Sequence, residues 1–185
     1  MSVREFYNSN DFDFVQEFEE NWQQIHQEYL QVQDQLIDWP EQHLHTGNWN
    51  VFGLFDFPQG NLLPNADKFC PVTVDLIRKH IKNHGSAGFS KLQANSVINP
   101  HRGFYGDFLR LHLGLDIPEG DCRIKINDQT AAWHNGKVLI FDDRYTHEAW
   151  NKAHRDRVVL IVDFVPDEQI RASWPSRAEW LRQTT

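Results

Sequence analysis

Cysteine is scarce in this chain: Cys70 and Cys122 are the only two in 185 residues. They are too few and too far apart for a disulfide framework or a cysteine-type zinc site. Reduced thiols and a cytoplasmic home are the expectation. Positive charge is also in deficit, with 18 Lys and Arg against 26 Asp and Glu and a formal net charge of −8. Phosphate backbones are bound by a surplus of Lys and Arg, so nucleic acid is not an expected partner. Long apolar runs are missing, and nothing approaches the roughly 20 residues that cross a bilayer, so no membrane span is expected. The opening stretch MSVREFYNSNDFDF has no basic region followed by an apolar one, which argues against a secretory signal. No internal repeat or low-complexity tract is visible.

What remains is a chain with 40% hydrophobic and 13% aromatic residues, enough for one domain with a real core. Residues 11–37 carry Phe14, Phe18, Trp22, Ile25, Tyr29, Val32 and Leu36 at three- and four-residue steps with no Gly or Pro between, which predicts one helix with a core-facing stripe. Asp11 or Asp13 would cap it, and Trp39-Pro40 would end it. Residues 49–57 (WNVFGLFDF) predict a strand, 59–71 a loop, and 71–83 a second helix opened by Pro71, with Val74, Ile77 and Ile81 on one face and Gly85 as its C-terminal cap. His26 reads as a satisfied or solvent-edge residue, and His43, His45, His80 and His84 as surface residues.

From Ala87 the character turns to β. The runs 88–99, 108–117, 122–127, 130–135, 137–143 and 158–164 are short, apolar and bounded by Gly, Pro, Asn or Asp. Pro118-Glu119-Gly120, Asn127-Asp128 and above all Asn135-Gly136 are turn signals, the last being favoured where both central residues need positive φ. Many short strands in one block predict a sandwich or jelly roll rather than a parallel sheet. The tail, 167–185, predicts a short helix around Pro175 to Leu181, with Trp174 and Trp180 outward or against the barrel.

Candidate chemistry sits at the edges of these runs. His101 lies at a loop-to-strand junction and His147 follows the run IFDDRYT. In a jelly roll such positions can converge at one mouth, and neutral imidazoles suit Fe(II), Zn(II) or Ni(II). Arg157 opens the run VVLIVDF, where its planar fork could bind a carboxylate bidentately; the bland alternative is a surface ion pair in the charged stretch HRDR. In LRLHLGL, Arg110 and His112 alternate with Leu111 and Leu113. If the leucines face an outer core layer, Arg110 and His112 face the barrel interior, which is costly unless something anionic sits there.

Taken in order, HRG, LRLHLGL, GKVLIFDD, HEAWN and RVVLIVDF resemble the aspartyl/asparaginyl β-hydroxylase family, densely from about Gly88 to Phe164 and thinly upstream at GNWNVFGLF. The family is one of iron(II)- and 2-oxoglutarate-dependent oxygenases with a double-stranded β-helix core. The resemblance implies that His101 and His147 are the iron ligands. It implies that Arg157 with Ser90 binds the distal carboxylate of 2-oxoglutarate, that His112 contacts the carboxylate nearest the iron, and that Arg110 meets an acidic group of the substrate. Most oxygenases of the wider superfamily carry a carboxylate two residues after the first histidine; here that position is Gly103, as in this family. Asp143 would hold a metal-bound water from outside the ligand set. Phe108 departs from the animal members, where a second basic residue is expected.

The expectation is a single oxygenase domain over 1–185: a mainly β (α+β) fold, a cupin-like jelly roll at 87–166, a helical and loop flank at 1–86, and a tail at 167–185. Its implied function is hydroxylation of an unactivated carbon, expected to be a β-carbon, in an Asp- or Asn-type residue or amino-acid derivative bearing an anionic group. Fe(II), 2-oxoglutarate and O2 are consumed or held, and succinate and CO2 are released. Two alternatives stay open: a cupin-like metal enzyme that does not use 2-oxoglutarate, and a non-catalytic jelly roll that binds an acidic ligand.

Overall fold

The computed structural model describes residues 4–182. In chain order the elements are β1 (Phe6–Tyr7), α1 (Val15–Glu20), α2 (Trp22–Val32), β2 (Ile37–Asp38), β3 (His45–Thr46), β4 (Trp49–Phe55), α3 (Ala66–Phe69), α4 (Pro71–His80), β5 (His84–Leu92), β6 (Ser96–His101), β7 (Leu109–Asp116), β8 (Cys122–Ile126), β9 (Gln129–Ala132), β10 (Val138–Phe141), β11 (His147–Asn151), β12 (Arg157–Phe164), α5 (Glu168–Ala172) and α6 (Arg177–Arg182). The strands form a seven-stranded sheet, β1-β10-β7-β12-β5-β4-β2, and a five-stranded sheet, β3-β6-β11-β8-β9. From β5 onward the chain passes back and forth between the sheets, and the ladders are antiparallel. This is the jelly roll the strand pattern predicts.

Period-two alternation explains how one sheet serves two cores. Along β7, Leu109, Leu111, Leu113 and Leu115 join Phe18, Ile25, Val32 and Ile77 in a core between the larger sheet and the helices. The residues between them, Arg110 and His112, face the smaller sheet, where Trp49, Leu92, Ile98, Ile124, Phe141 and Ile161 form the second core. The geometry that puts charge inside the barrel is therefore the one realised. Central strand β12 is buried along its whole length, so it reads as continuous apolar sequence with only its first residue and Asp163 charged.

The helical flank differs in detail from its periodicity. The stripe of 11–37 faces the core, with Phe18, Ile25 and Val32 fully buried. The helix is nevertheless two helices, parted at Asn21, whose side-chain amide donates to the Glu17 carbonyl at 2.8 Å and competes with the backbone ladder. Neither Asp11 nor Asp13 caps it; the N-cap position is Phe14, without a side-chain hydrogen bond. Chain direction changes before Trp39-Pro40, because Ile37 and Asp38 already pair with β4. The 59–71 loop contains the short α3. The second helix ends at His80 and is capped by Ile81, not Gly85. Gly85 lies in β5 beneath the Phe108 ring, where an added Cβ would stand 2.7 Å from Phe108 Cε1. His43 is exposed, but His45, His80 and His84 are half-buried rather than fully at the surface.

The run 88–99 is split into β5 and β6 by a turn with Asn95 at φ 60°. Asn135-Gly136 is not a hairpin: it carries the chain from β9 in one sheet to β10 in the other, and of the pair only Gly136, at φ 70°, has positive φ. The C-terminal segment packs onto the barrel. Trp174 donates to Tyr7 Oη at 2.9 Å with the Arg144 guanidinium 3.8 Å from its ring, and Trp180 is buried against Tyr105. The last part of the expected tail, 183–185, lies outside the described residues.

Candidate active site

His101 ends β6 and His147 begins β11, and the antiparallel register makes the two residues direct partners. Their ring centroids are 4.2 Å apart. Each ring is set by a carbonyl two residues upstream: His101 Nδ1 lies 2.7 Å from Asn99 O, and His147 Nδ1 lies 2.9 Å from Tyr145 O. A carbonyl only accepts, so both hydrogens sit on Nδ1 and both Nε2 atoms keep a lone pair. Burial pushes His147 down to about 3, with His101 adding to the effect, and burial likewise lowers His101. Both are neutral at neutral pH, the form that ligates a metal ion.

No carboxylate completes the pair. Among the described residues no group of three or more His, Cys, Asp or Glu is arranged to hold a metal ion. Gly103 has no side chain to offer, and its amide donates to Asp143 O at 2.8 Å. The Asp143 carboxylate fills the space where a Cβ on residue 103 would stand, with Cγ 2.6 Å from that point. Asp143 in turn pairs with Arg110 Nη1 at 3.0 Å. Burial raises its pKa to about 6, against the lowering effect of Arg110.

Arg110 is more committed than its sequence position suggested. It grips Asp163 bidentately, from Nε at 2.7 Å and Nη2 at 2.9 Å, while Ser86 Oγ donates to the same carboxylate at 2.7 Å. Its charge is thus balanced within the chain by Asp163 and Asp143 before any substrate arrives. Arg110 still lines the cavity, where its remaining N–H donors can meet an acceptor.

Arg157 is the opposite case. It is 1% exposed, and its Nε and Nη1 have no hydrogen-bond partner among the described residues. Its guanidinium stands 4.7 Å from the Trp133 ring. Burial without an acid partner pushes its pKa down to about 10. The alternative of a surface ion pair in HRDR is excluded by this burial. Ser90 lies on β5 beside β12, opposite Val159 in register, and its Oγ accepts from Trp49 Nε1 at 2.9 Å, which leaves its own hydrogen to donate. His112 Nδ1 accepts the Trp133 indole N–H at 3.1 Å, and its Nε2 has no partner among the described residues. Burial and the nearby Arg157 hold His112 well below the usual imidazole range.

One cavity between the sheets is lined by His101, His147, Ser90, His112, Arg110 and Arg157, so the structure brings six of the seven candidates together. Asp143 stands behind Arg110. The sequence reading missed Asp163, Trp133 and Trp49. Asp163 was recoverable: it is six residues from Arg157, hence on the same face of β12, and directly opposite Arg110. Trp133 falls inside the expected run 130–135, but β9 ends at Ala132, so the parity of that run does not place it.

Two facing imidazoles lie at the mouth of the double-stranded β-helix, and the same cavity holds a buried arginine whose Nε and Nη1 have no partner among the described residues. The sequence matches the family described as Aspartyl/Asparaginyl beta-hydroxylase over residues 19–166, and the chain belongs to that family. It is 35% identical over 159 residues to the aspartyl/asparaginyl beta-hydroxylase of Mus musculus, covering 82% of this chain and 21% of that one. It is 43% identical over 119 residues to the ornithine lipid ester-linked acyl 2-hydroxylase of Rhizobium tropici, covering 63% of this chain and 41% of that one. The chain thus spans well under half the length of these curated relatives. Among solved structures, a Pseudomonas putida prolyl-4-hydroxylase shares the fold with a TM-score of 0.54 at 12% identity, over 80% of this chain and 88% of that one.

Proposed function

We propose that this chain is an iron(II)- and 2-oxoglutarate-dependent dioxygenase that hydroxylates an unactivated carbon, with the β-carbon of an Asp- or Asn-type residue or amino-acid derivative as the favoured target. The observation that carries the reading is Arg157, a buried cation between the two sheets whose Nε and Nη1 have no partner among the described residues. Such a group is costly to keep unless a ligand carboxylate pairs with it. A cupin-like metal enzyme without 2-oxoglutarate has no use for it.

The residues fit the absent groups. His101 and His147 would hold Fe(II) through Nε2, each oriented by its carbonyl contact. Arg157 and the Ser90 hydroxyl would hold the distal carboxylate of 2-oxoglutarate, and His112 Nε2–H would donate to the carboxylate nearer the metal. When bound, iron, 2-oxoglutarate and O2 supply the oxidation, with succinate and CO2 as co-products. The chain's own contribution is placement and exclusion of water by the surrounding Trp49, Trp133, Phe141 and Ile161. Arg110, steadied by Asp143 and Asp163, would meet an acceptor of the substrate.

An acyl chain is the second reading, and one observation favours it. Phe57 and Phe104, 49% and 59% exposed, stand edge to face at 5.2 Å, and Phe104 is three residues beyond His101. Anaerobic titration with Fe(II) and then 2-oxoglutarate tests the enzyme class. A visible charge-transfer band that is lost in Arg157→Ala supports it; iron bound without a band sinks the cosubstrate assignment; no iron bound leaves only an acidic-ligand module. Turnover with Asp-bearing peptides against acylated amino acids then separates the two substrate readings.

A further inference from the structure

Trp133 touches two groups of the pocket whose donors have no partner among the described residues, His112 and Arg157. Its indole N–H is 3.1 Å from His112 Nδ1, and its ring face lies 4.7 Å from the Arg157 guanidinium carbon. The His112 and Trp133 rings are nearly parallel, at 22°, and Phe141 closes on His112 edge-on at 4.8 Å. The imidazole is therefore held on two sides.

A neutral imidazole has one donor and one acceptor, and either nitrogen can be either. An indole N–H can only donate. With Nδ1 accepting from Trp133, the single hydrogen of His112 must sit on Nε2, which has no partner among the described residues. Burial and the Arg157 cation both oppose a second proton on this ring. His112 is thereby a donor to the pocket, never an acceptor.

We infer that Trp133 is a positioning residue that fixes His112 in its Nε2–H form and carries Arg157 on its ring face, so that the pocket admits ligands with hydrogen-bond acceptors at both ends. The dicarboxylate identity of that ligand rests on the proposed cosubstrate; the tautomer does not. The same indole thus sets the polarity of one end and seats the charge of the other.

The test begins with metal-free, ligand-free protein and a long-range 15N–1H spectrum of its histidines. The wild type is expected to show His112 as the Nε2–H tautomer, with a coupling across the hydrogen bond from the Trp133 indole. Trp133→Phe keeps a ring under Arg157 but removes the N–H, so the Nδ1–H tautomer should appear. Anaerobic Fe(II)-loaded Trp133→Phe should bind 2-oxoglutarate about tenfold more weakly, the scale of one pocket hydrogen bond to a charged group. Trp133→Leu, which also removes the ring face, should weaken it further. An Nδ1–H tautomer in the wild type overturns the inference, and so does an unchanged tautomer and affinity in Trp133→Phe. Should that variant not fold, the wild-type tautomer and its coupling decide alone, since absence of both is fatal. Wild-type protein that shows the tautomer but binds no 2-oxoglutarate would sink the cosubstrate and leave the role of Trp133 standing.

Discussion

At the scale of single residues, the two arginines that line the cavity make opposite predictions. Arg157 has no acid beside it, so ligand-free protein bears the cost of its burial. Arg157→Met keeps the volume and removes the charge. It should leave ligand-free stability unchanged or raise it, by up to a few kcal/mol, while abolishing 2-oxoglutarate binding. Thermal melts with and without 2-oxoglutarate check both halves, and a large loss of stability would show that the charge is satisfied in some other way. Arg110 is engaged by Asp143 and Asp163. Arg110→Met strands two buried carboxylates and should cost roughly 3–5 kcal/mol in urea unfolding. Most of the site was legible at this scale because strand parity says which residues share a face. The alternation with leucines put His112 and Arg110 on one face and left open which face that was, and Asp163 obeyed the same rule unread. Trp133 was illegible, because the run expected to reach residue 135 stops as a strand at Ala132 and its two contacts are long-range.

The elements show where local pattern stops. The stripe from Phe14 to Leu36 states which face is buried, but not that Asn21 breaks the helix, since the break comes from a side-chain bond to the backbone. Likewise Gly85 reads as a helix cap until Phe108, far along the chain, is seen to lie on it. Asn135-Gly136 reads as a turn between strands, yet a dipeptide cannot say which sheet its flanking strands join. Gly136 nonetheless has a firm requirement of its own. It has positive φ, and a Cβ there would meet Trp22 Nε1 at 2.7 Å. Gly136→Ala should therefore destabilise the protein, by roughly 1–3 kcal/mol, through strain and displacement of α2. A shift of the unfolding midpoint measures it. Gly103 makes a sharper case, because its missing side chain is the space taken by the Asp143 carboxylate. Gly103→Asp should lower the melting temperature, and adding Asp143→Gly should recover part of the loss. An additive double variant would show that the two positions do not compete for that space.

For the whole molecule, the buried groups set a pH window in which the metal-free protein is stable. On the acid side, His101, His112 and His147 are all held below their ordinary range, His147 down to about 3. Below about pH 6.5 the unfolded chain takes up a proton on each that the folded chain refuses, so stability falls as pH falls. Asp143 works the other way. Its pKa is raised to about 6, so between about pH 4 and 6 the folded state holds a proton that the unfolded state has lost. Three refusals outweigh one retention, and the net slope is a loss of stability on acidification, about 1.4 kcal/mol per pH unit for each net proton. On the alkaline side, Cys70 and Tyr29 are both pushed up to about 12 by burial. Their contribution is complete below the unfolded values, near pH 8.5 and 10, and is lost as pH rises toward 12. Chemical denaturation in EDTA across pH 4 to 10 should therefore give a maximum between about 6.5 and 8.5. Replacing His112 by Phe removes one of the acid-side refusals and should flatten the acid limb while leaving the alkaline limb in place. A variant whose acid limb matched the wild type would mean that His112 takes up its second proton in the folded state as readily as in the unfolded one, and that its Nδ1 is not held as the acceptor of the Trp133 indole.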